Sequence, residues 1–270
     1  MSKINFHYAY QICDTKSREN KPRICGDDRT LLSKKSIKSF LNSLVTLNEF
    51  LPESEHTVCF FNDHSSEELI QYVNQLIEEN NSENLKLILQ DTIDTGICQS
   101  IKQCYMWLQQ NGKDFVYQVQ DDYLFFPSAL KEMYEVINQL KFETGYDIVV
   151  SPFNDFWLWL AIYRNSCTPR TVVVGKDRYW IQYYDMSCSF MTIHKEFSKH
   201  WDLYHEFFNL LEQGSKELES KSLNYMLTKR AYGFIPVNNL AFHMQTELEE
   251  DPHIDWRPLW ESINVTSSTT

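Results

Sequence analysis

Four strand-like runs separated by three amphipathic stretches constrain the fold of this chain more than any other feature. "INFHYAYQIC", "HTVCFFND", "LKLILQD" and "DFVYQVQ" are each rich in β-branched, aromatic or long apolar residues. Between the first two, "RTLLSKKSIKSFLNSLVTLNEFL" places Leu31, Ile37, Leu41, Leu44 and Leu47 on one helical face. A Ser-Ser-Glu-Glu run at 65–68 opens a second helix, and "GICQSIKQCYMWLQQNG" supplies a third. This β-α-β-α-β-α-β order predicts an α/β fold with a mainly parallel sheet covered by helices on both faces. Ligands of such sheets sit beyond the carboxyl ends of the strands, where Asp63 and the pair Asp121-Asp122 fall.

Past residue 145 the pattern changes. "YDIVVSPFNDFWLWLAIYR", "TVVVG" and "RYWIQYYDMSCSFMTIH" read as aromatic strands without regular helices between them, a mixed-sheet extension of the first half. No Gly/Ser/Pro-rich linker divides the chain, so residues 1–264 are expected to form one domain in two halves, 1–130 and 131–264. Residues 265–270 are expected to be a disordered polar tail.

The chain has 270 residues and is 43% hydrophobic, enough for a substantial core. Its formal charge of -12 argues against a nucleic-acid partner. The N-terminus has no apolar run fit for a signal peptide, and no window reaches the length of a membrane span. Seven cysteines without a CxxC pair suggest neither a zinc site nor a disulfide framework. The sequence thus reads as a soluble, cytoplasmic protein with reduced thiols.

"FVYQVQDDYLFFPSAL" puts Asp121 and Asp122 between a strand and a proline-started helix. Adjacent acids there can form a turn and a helix cap. They can equally hold a divalent cation through hard oxygen ligands, which then neutralises a diphosphate. A second pair, Asp27-Asp28, fits the capped start of the first helix. At the other end, "DWRPLWESIN" reads as a helix anchored by Trp256 and Trp260 that packs back on the domain.

The stretch "VYQVQDDYLFFPSAL", after its β-α-β series, resembles the acidic metal motif of GT-A fold glycosyltransferases, in particular the family-2-like members of the nucleotide-diphospho-sugar transferase superfamily. The usual Glu-Asp-Asp reads Gln120-Asp121-Asp122 here. "VCFFNDHSSEEL" is similar to the family's nucleoside-contacting strand end, with Asp63 as the matching acid, and Gly96 opens the helix that would pass beside the donor. "ELESKSLNYMLTKRAYGFIPVNNLAFH" is similar to the segment of an acid pair, a helix, a strand and a terminal histidine, with Leu223, Leu227, Tyr232 and His243 keeping its cadence.

The resemblance implies a metal-dependent, hexosyltransferase-type enzyme of carbohydrate biosynthesis. It would move a sugar from a nucleotide-diphosphate sugar to a glycan or other hydroxyl acceptor, with inversion. Asp122 and His243 would bind Mn²⁺ or Mg²⁺; Asp63, Gly96 and Asp121 would bind the nucleotide sugar. A lone histidine after an apolar run is also commonly just packed, and the family position is what marks His243 as a ligand. The expected catalytic base is Glu219, followed by Glu217 and by Asp185 on an acceptor-side strand. Serine at 220, where the family has aspartate, departs from the pattern. Trp157, Trp159, Tyr163, Tyr179, Trp180, Tyr183 and Tyr184 include candidates for an acceptor platform, although core packing accounts for most strand aromatics. Two rivals remain: a sugar-phosphate nucleotidyltransferase, for which the loop after the first strand is a poor phosphate loop, and a non-catalytic carbohydrate- or nucleotide-binding protein on the same fold.

Overall fold

The computed structural model describes residues 3–15, 23–93, 96–154, 170–184, 189–215, 221–245 and 253–265. The first half follows the expected order: β1 (Asn5–Ile12), α1 (Arg29–Phe50), β2 (Glu55–Asn62), α2 (Glu67–Asn80), β3 (Leu85–Asp91), α3 (Ile97–Asn111) and β4 (Phe115–Gln120). Asp28 caps α1 by accepting from the Leu31 amide at 2.8 Å. Ser66 caps α2, with Glu67 and Glu68 in its first turn, where the helix dipole favours acids.

Strand alternation sorts the side chains into two layers. Phe6, Tyr8, Tyr10 and Ile12 of β1 point to one face, with Ile37, Phe40 and Leu44 of α1, Leu69 and Val73 of α2, and Met133 and Ile137 of α4 (Ala129–Thr144). Ala9, Cys59 and Phe61 point to the other face, toward Tyr105 and Leu108 of α3. On α1, Leu32 is buried in a smaller cluster with Leu124 and Phe242, whereas Leu31 is only half-buried.

The second half adds β5 (Tyr123–Phe125), β6 (Ile148–Val150), β7 (Val172–Val174), β8 (Tyr179–Tyr183), β9 (Phe190–Ile193), β10 (Tyr232–Pro236) and β11 (Ala241–His243). Its helices among the described residues are α5 (His194–Lys199), α6 (Trp201–Glu212), α7 (Leu223–Lys229) and α8 (Arg257–Ser262). Residues 195–212 carried no predicted element; there Phe197, Trp201, Tyr204, Phe208 and Leu211 recur at helical spacing and join the α3 face of the core.

Among the described residues one sheet runs β3-β2-β1-β4-β9-β6-β10-β8-β7, and a two-stranded ribbon pairs β5 with β11. Strands β3, β2, β1 and β4 are parallel. Beyond β4 the sheet is mixed: β9 is antiparallel to β4 and β6, and β6 is parallel to β10. This is the expected parallel half with a mixed extension. The chain leaves β1 outward through β2 and β3, then returns through α3 to β4 on the other side of β1. The strand order therefore reverses between β1 and β4, which opens a crevice at their carboxyl ends. No helix among the described residues is long and apolar enough to cross a membrane.

Candidate functional site

The register brings four strand ends to one edge. Ile12 pairs with Asn62, Asn62 with Asp91, and Gln11 with Gln120. Asp14, Asp63, Asp91 and Asp121 therefore end neighbouring strands along the carboxyl edge.

Asp121 and Asp122 do not cap a helix. Between them and α4 lies β5, and the residue at the N-cap of α4 is Ser128. Instead, Asp121 turns toward the β1 end, where its Oδ2 accepts from the Cys13 amide at 2.8 Å and the Ser33 hydroxyl at 2.6 Å. Burial, and then the neighbouring charge of Asp122, push the Asp121 carboxyl up to about 7 against those two donors.

Asp122 faces a different set of groups. Arg23 Nη1 donates to its Oδ2 at 2.9 Å, with Gln245 Nε2 and His243 Nε2 each at 3.4 Å from the same oxygen. Burial works against its charge, yet His243, Arg23 and Gln245 together hold the carboxyl well below the usual range. Two adjacent acids are thus split into one poised near neutrality and one held ionised.

The ribbon brings His243 to Asp122 across the 120 residues between them. His243 pairs with Tyr123, Phe242 with Leu124 and Ala241 with Phe125, and the Met244 amide donates to the Asp122 carbonyl at 2.8 Å. The His243 ring stacks on Tyr123 with centroids 4.5 Å apart and planes 2° from parallel, which fixes the imidazole beside the carboxylate. Beneath the ribbon, Leu124, Phe242 and Met244 pack with Trp256, Trp260 and Ile263, so the terminal helix does fold back. Lys35 ties it down by donating to the carbonyls of Trp260 at 2.6 Å and Ile263 at 2.7 Å.

Serines on the buried face of α1 secure the same region. Ser39 Oγ accepts from the Phe125 amide at 3.0 Å, and Ser43 Oγ accepts from the Leu130 amide at 2.9 Å. With Ser33 on Asp121 and Ser36 on Tyr10, α1 holds the acid turn, the ribbon and the start of α4 in one frame. Sequence reading passed over these serines. Their 3-3-4 spacing at 33, 36, 39 and 43, on the face that carries Ile37, Phe40 and Leu44, is the signal that could have found them.

Asp63 is buried at the end of β2, and its Oδ1 accepts from the Gly96 amide at 3.2 Å. Gly96 opens α3 with φ 106°, a conformation that suits glycine, although a side chain there would meet nothing within 4 Å. Asp14, absent from the sequence reading, accepts from the Ser66 amide at 2.6 Å and the Thr30 hydroxyl at 2.6 Å, joining the starts of α2 and α1. Asp63 and Gly96 thus meet at this edge, one strand from the Asp121-Asp122 turn.

Glu217, Glu219 and Asp185 lie outside the described residues, as do Trp157, Trp159 and Tyr163. Of the remaining aromatic candidates, Trp180 and Tyr183 are buried in the core and are not a platform, while Tyr179 is 58% exposed. β8 runs antiparallel to β10, which puts Tyr179 at the carboxyl edge and Tyr183 at the opposite one.

Among the described residues no three metal-ligating side chains converge. A cation here would take a carboxylate and an imidazole from the protein. Asp122 offers it a buried Oδ1 that makes no hydrogen bond. Mg²⁺ and its relatives are commonly held by one or two protein carboxylates, with the remaining positions taken by phosphate oxygens and water, so this donor set fits a substrate-completed site.

No family model and no curated protein matches the sequence. Among solved structures, the chain is similar to UDP-glucose pyrophosphorylase complexed with UDP-glucose, at 10% identity and TM-score 0.48 over 91% of this chain and 94% of that one. It is similar to a protein described as a nucleotide-diphospho-sugar transferase from Desulfovibrio desulfuricans G20, at 10% identity and TM-score 0.44 over 85% and 78% of the two chains. It is also similar to mouse xyloside xylosyltransferase 1, at 13% identity and TM-score 0.44 over 84% and 82%.

Proposed function

We propose that this chain is a metal-dependent glycosyltransferase with the GT-A fold, moving a sugar from a nucleotide-diphosphate sugar to an acceptor hydroxyl with inversion. The observation that carries the proposal is the approach of His243 Nε2 to 3.4 Å from Asp122 Oδ2, at the crevice where the strand order reverses. These two side chains would hold Mn²⁺ or Mg²⁺. The cation would neutralise negative charge growing on the leaving nucleoside diphosphate.

Around it, the chain's own groups bind and orient. Asp121, fixed by Ser33 and Cys13, sets the turn from which Asp122 projects. Asp63 holds the Gly96 backbone at the edge where the nucleoside would lie. A carboxylate, with Glu219 first and Glu217 or Asp185 after it, would take the proton from the acceptor hydroxyl as it attacks the anomeric carbon. A single displacement inverts that carbon.

The direct experiment incubates the protein with Mn²⁺ and a panel of nucleotide sugars and follows release of nucleoside diphosphate. Asp122→Ala is expected to lower metal-dependent turnover by about 100-fold or more, in line with removal of an electrostatic group from a transition-state site. Turnover that survives in Asp122→Ala with its metal dependence intact would refute the assignment.

Arg23, which reaches the acid pair from the β1–α1 connection, favours a second reading. A cationic side chain there also suits a sugar-phosphate nucleotidyltransferase, which must neutralise a triphosphate. Pyrophosphate formed from a nucleoside triphosphate and a sugar phosphate would identify that activity. Nucleotide binding without turnover in either assay would identify a binding protein.

A further inference from the structure

One oxygen of Asp122 is crowded and the other is bare. Oδ2 has Arg23 Nη1 at 2.9 Å and the nitrogens of His243 and Gln245 at 3.4 Å, whereas Oδ1 is buried without a hydrogen-bond partner. The Arg23 side chain is 18% exposed and that of Asp122 is 11% exposed, so water screens the pair weakly. A divalent cation lodged between Asp122 and His243 would lie within a few ångströms of the guanidinium. At that range two positive charges repel strongly. Arg23 and the cation therefore compete for one carboxylate.

We propose that Arg23 is a resident counter-ion of Asp122, exchanged for the divalent cation and passed on to the diphosphate that arrives with it. This rests on Asp122 being a cation ligand, as proposed above. Without ligands, the guanidinium shares with His243 and Gln245 the compensation of a buried carboxylate, and it makes the shortest of the three contacts. When cation and diphosphate enter together, Arg23 gives up one anion and gains another, and its planar fork suits phosphate oxygens. The cation alone offers no such replacement. The exchange therefore makes cation and diphosphate bind cooperatively, each raising the affinity for the other by the same factor. It also guards the site against loading with metal when no donor is present.

The test titrates Mn²⁺, read from the paramagnetic resonance of the free aquo ion, into the full chain and into Arg23→Gln, Arg23→Lys and Asp122→Asn, with and without inorganic pyrophosphate. Melting curves establish that each variant is folded. Arg23→Gln is expected to bind Mn²⁺ alone about tenfold more tightly than the parent chain, and Mn²⁺ with pyrophosphate about tenfold more weakly, each a change of about 1.4 kcal/mol. Arg23→Lys, which keeps the charge, is expected to stay within about threefold of the parent for Mn²⁺ alone. Asp122→Asn is expected to bind Mn²⁺ in neither condition. If the parent binds Mn²⁺ and Arg23→Gln binds it equally or more weakly, the exchange is overturned while the metal site stands. If neither protein binds Mn²⁺, with or without pyrophosphate, both the exchange and the metal site are overturned.

Discussion

Replacing Asp121 by asparagine should stabilise the ligand-free protein at alkaline pH and leave it almost unchanged near pH 4. The Asp121 carboxyl lies at about 7 in the folded chain against an ordinary 3.8, because burial and the Asp122 charge both oppose ionisation. Between those two values the unfolded chain has released this proton and the folded chain still holds it. Stability therefore falls as pH rises from about 4 to about 7, and the loss is complete above that. At about 1.4 kcal/mol per unit of displacement, the gap corresponds to roughly 4 kcal/mol, an upper figure because water and counter-ions relax around a strained charge. Asparagine keeps an oxygen that can accept from Ser33 and Cys13 and carries no charge beside Asp122. Its melting temperature at pH 8, in EDTA, should exceed that of the parent by at least about 4 °C, at 2–4 °C per kcal/mol for a chain of this size. The two curves should converge toward pH 4. Curves that run parallel from pH 4 to pH 8 would show that Asp121 ionises normally in the fold, and the division of labour between the two acids would then be wrong.

Two further predictions concern the frame around the site. Glu132→Ala on α4 should destabilise the chain by about 3 kcal/mol in denaturant titrations, because it strands a partly buried guanidinium. Arg178 pairs with both oxygens of Glu132 and donates to the carbonyls of Asn238 at 2.6 Å and Asn239 at 3.2 Å, so this one side chain ties the β7–β8 turn to α4 and to the β10–β11 loop. An effect below about 1 kcal/mol would mark the pair as a solvated surface contact. His56→Gln should flatten acid unfolding: burial lowers the His56 imidazole to about 4, so stability is lost as pH falls from 6.5 toward 4 while the unfolded chain takes up the proton. An acid limb unchanged in His56→Gln melts would assign the loss to other groups.

The first half of the fold was legible because its signals are periodic and long. Strand runs of seven or eight residues and a 22-residue helix leave little choice of element, and Asp28 and Ser66 mark helix starts by their own chemistry. The β5–β11 ribbon was not legible, because three residues before a proline carry no period and read as the approach to a helix. Its partner lies more than a hundred residues away. Residues 195–212 carried no predicted element, although their aromatic side chains recur every three or four residues, the spacing of the helices found there. At the site, strand ends alone pointed to Asp63, Asp121 and Asp122. The pairing of Asp122 with His243 came from a family cadence and not from residue physics. Arg23 and Asp14 were invisible because their roles are contacts between elements, and the spacing of the α1 serines could mark them as buried polar groups in need of partners without saying which partners they find.

The most direct test of the central claim is differential scanning fluorimetry of the full chain against nucleoside diphosphates and nucleotide sugars, each with Mn²⁺ and with EDTA. A ligand that binds only the folded state raises the melting temperature by mass action, about 2.7 kcal/mol of stabilisation at 100 times its Kd. One nucleoside diphosphate should raise it in Mn²⁺, and the rise should vanish in EDTA and in Asp122→Ala. A cooperative melt that no nucleotide shifts, with or without the metal, would contradict the account and leave Asp121 and Asp122 as structural anchors for α1 and the β5–β11 ribbon.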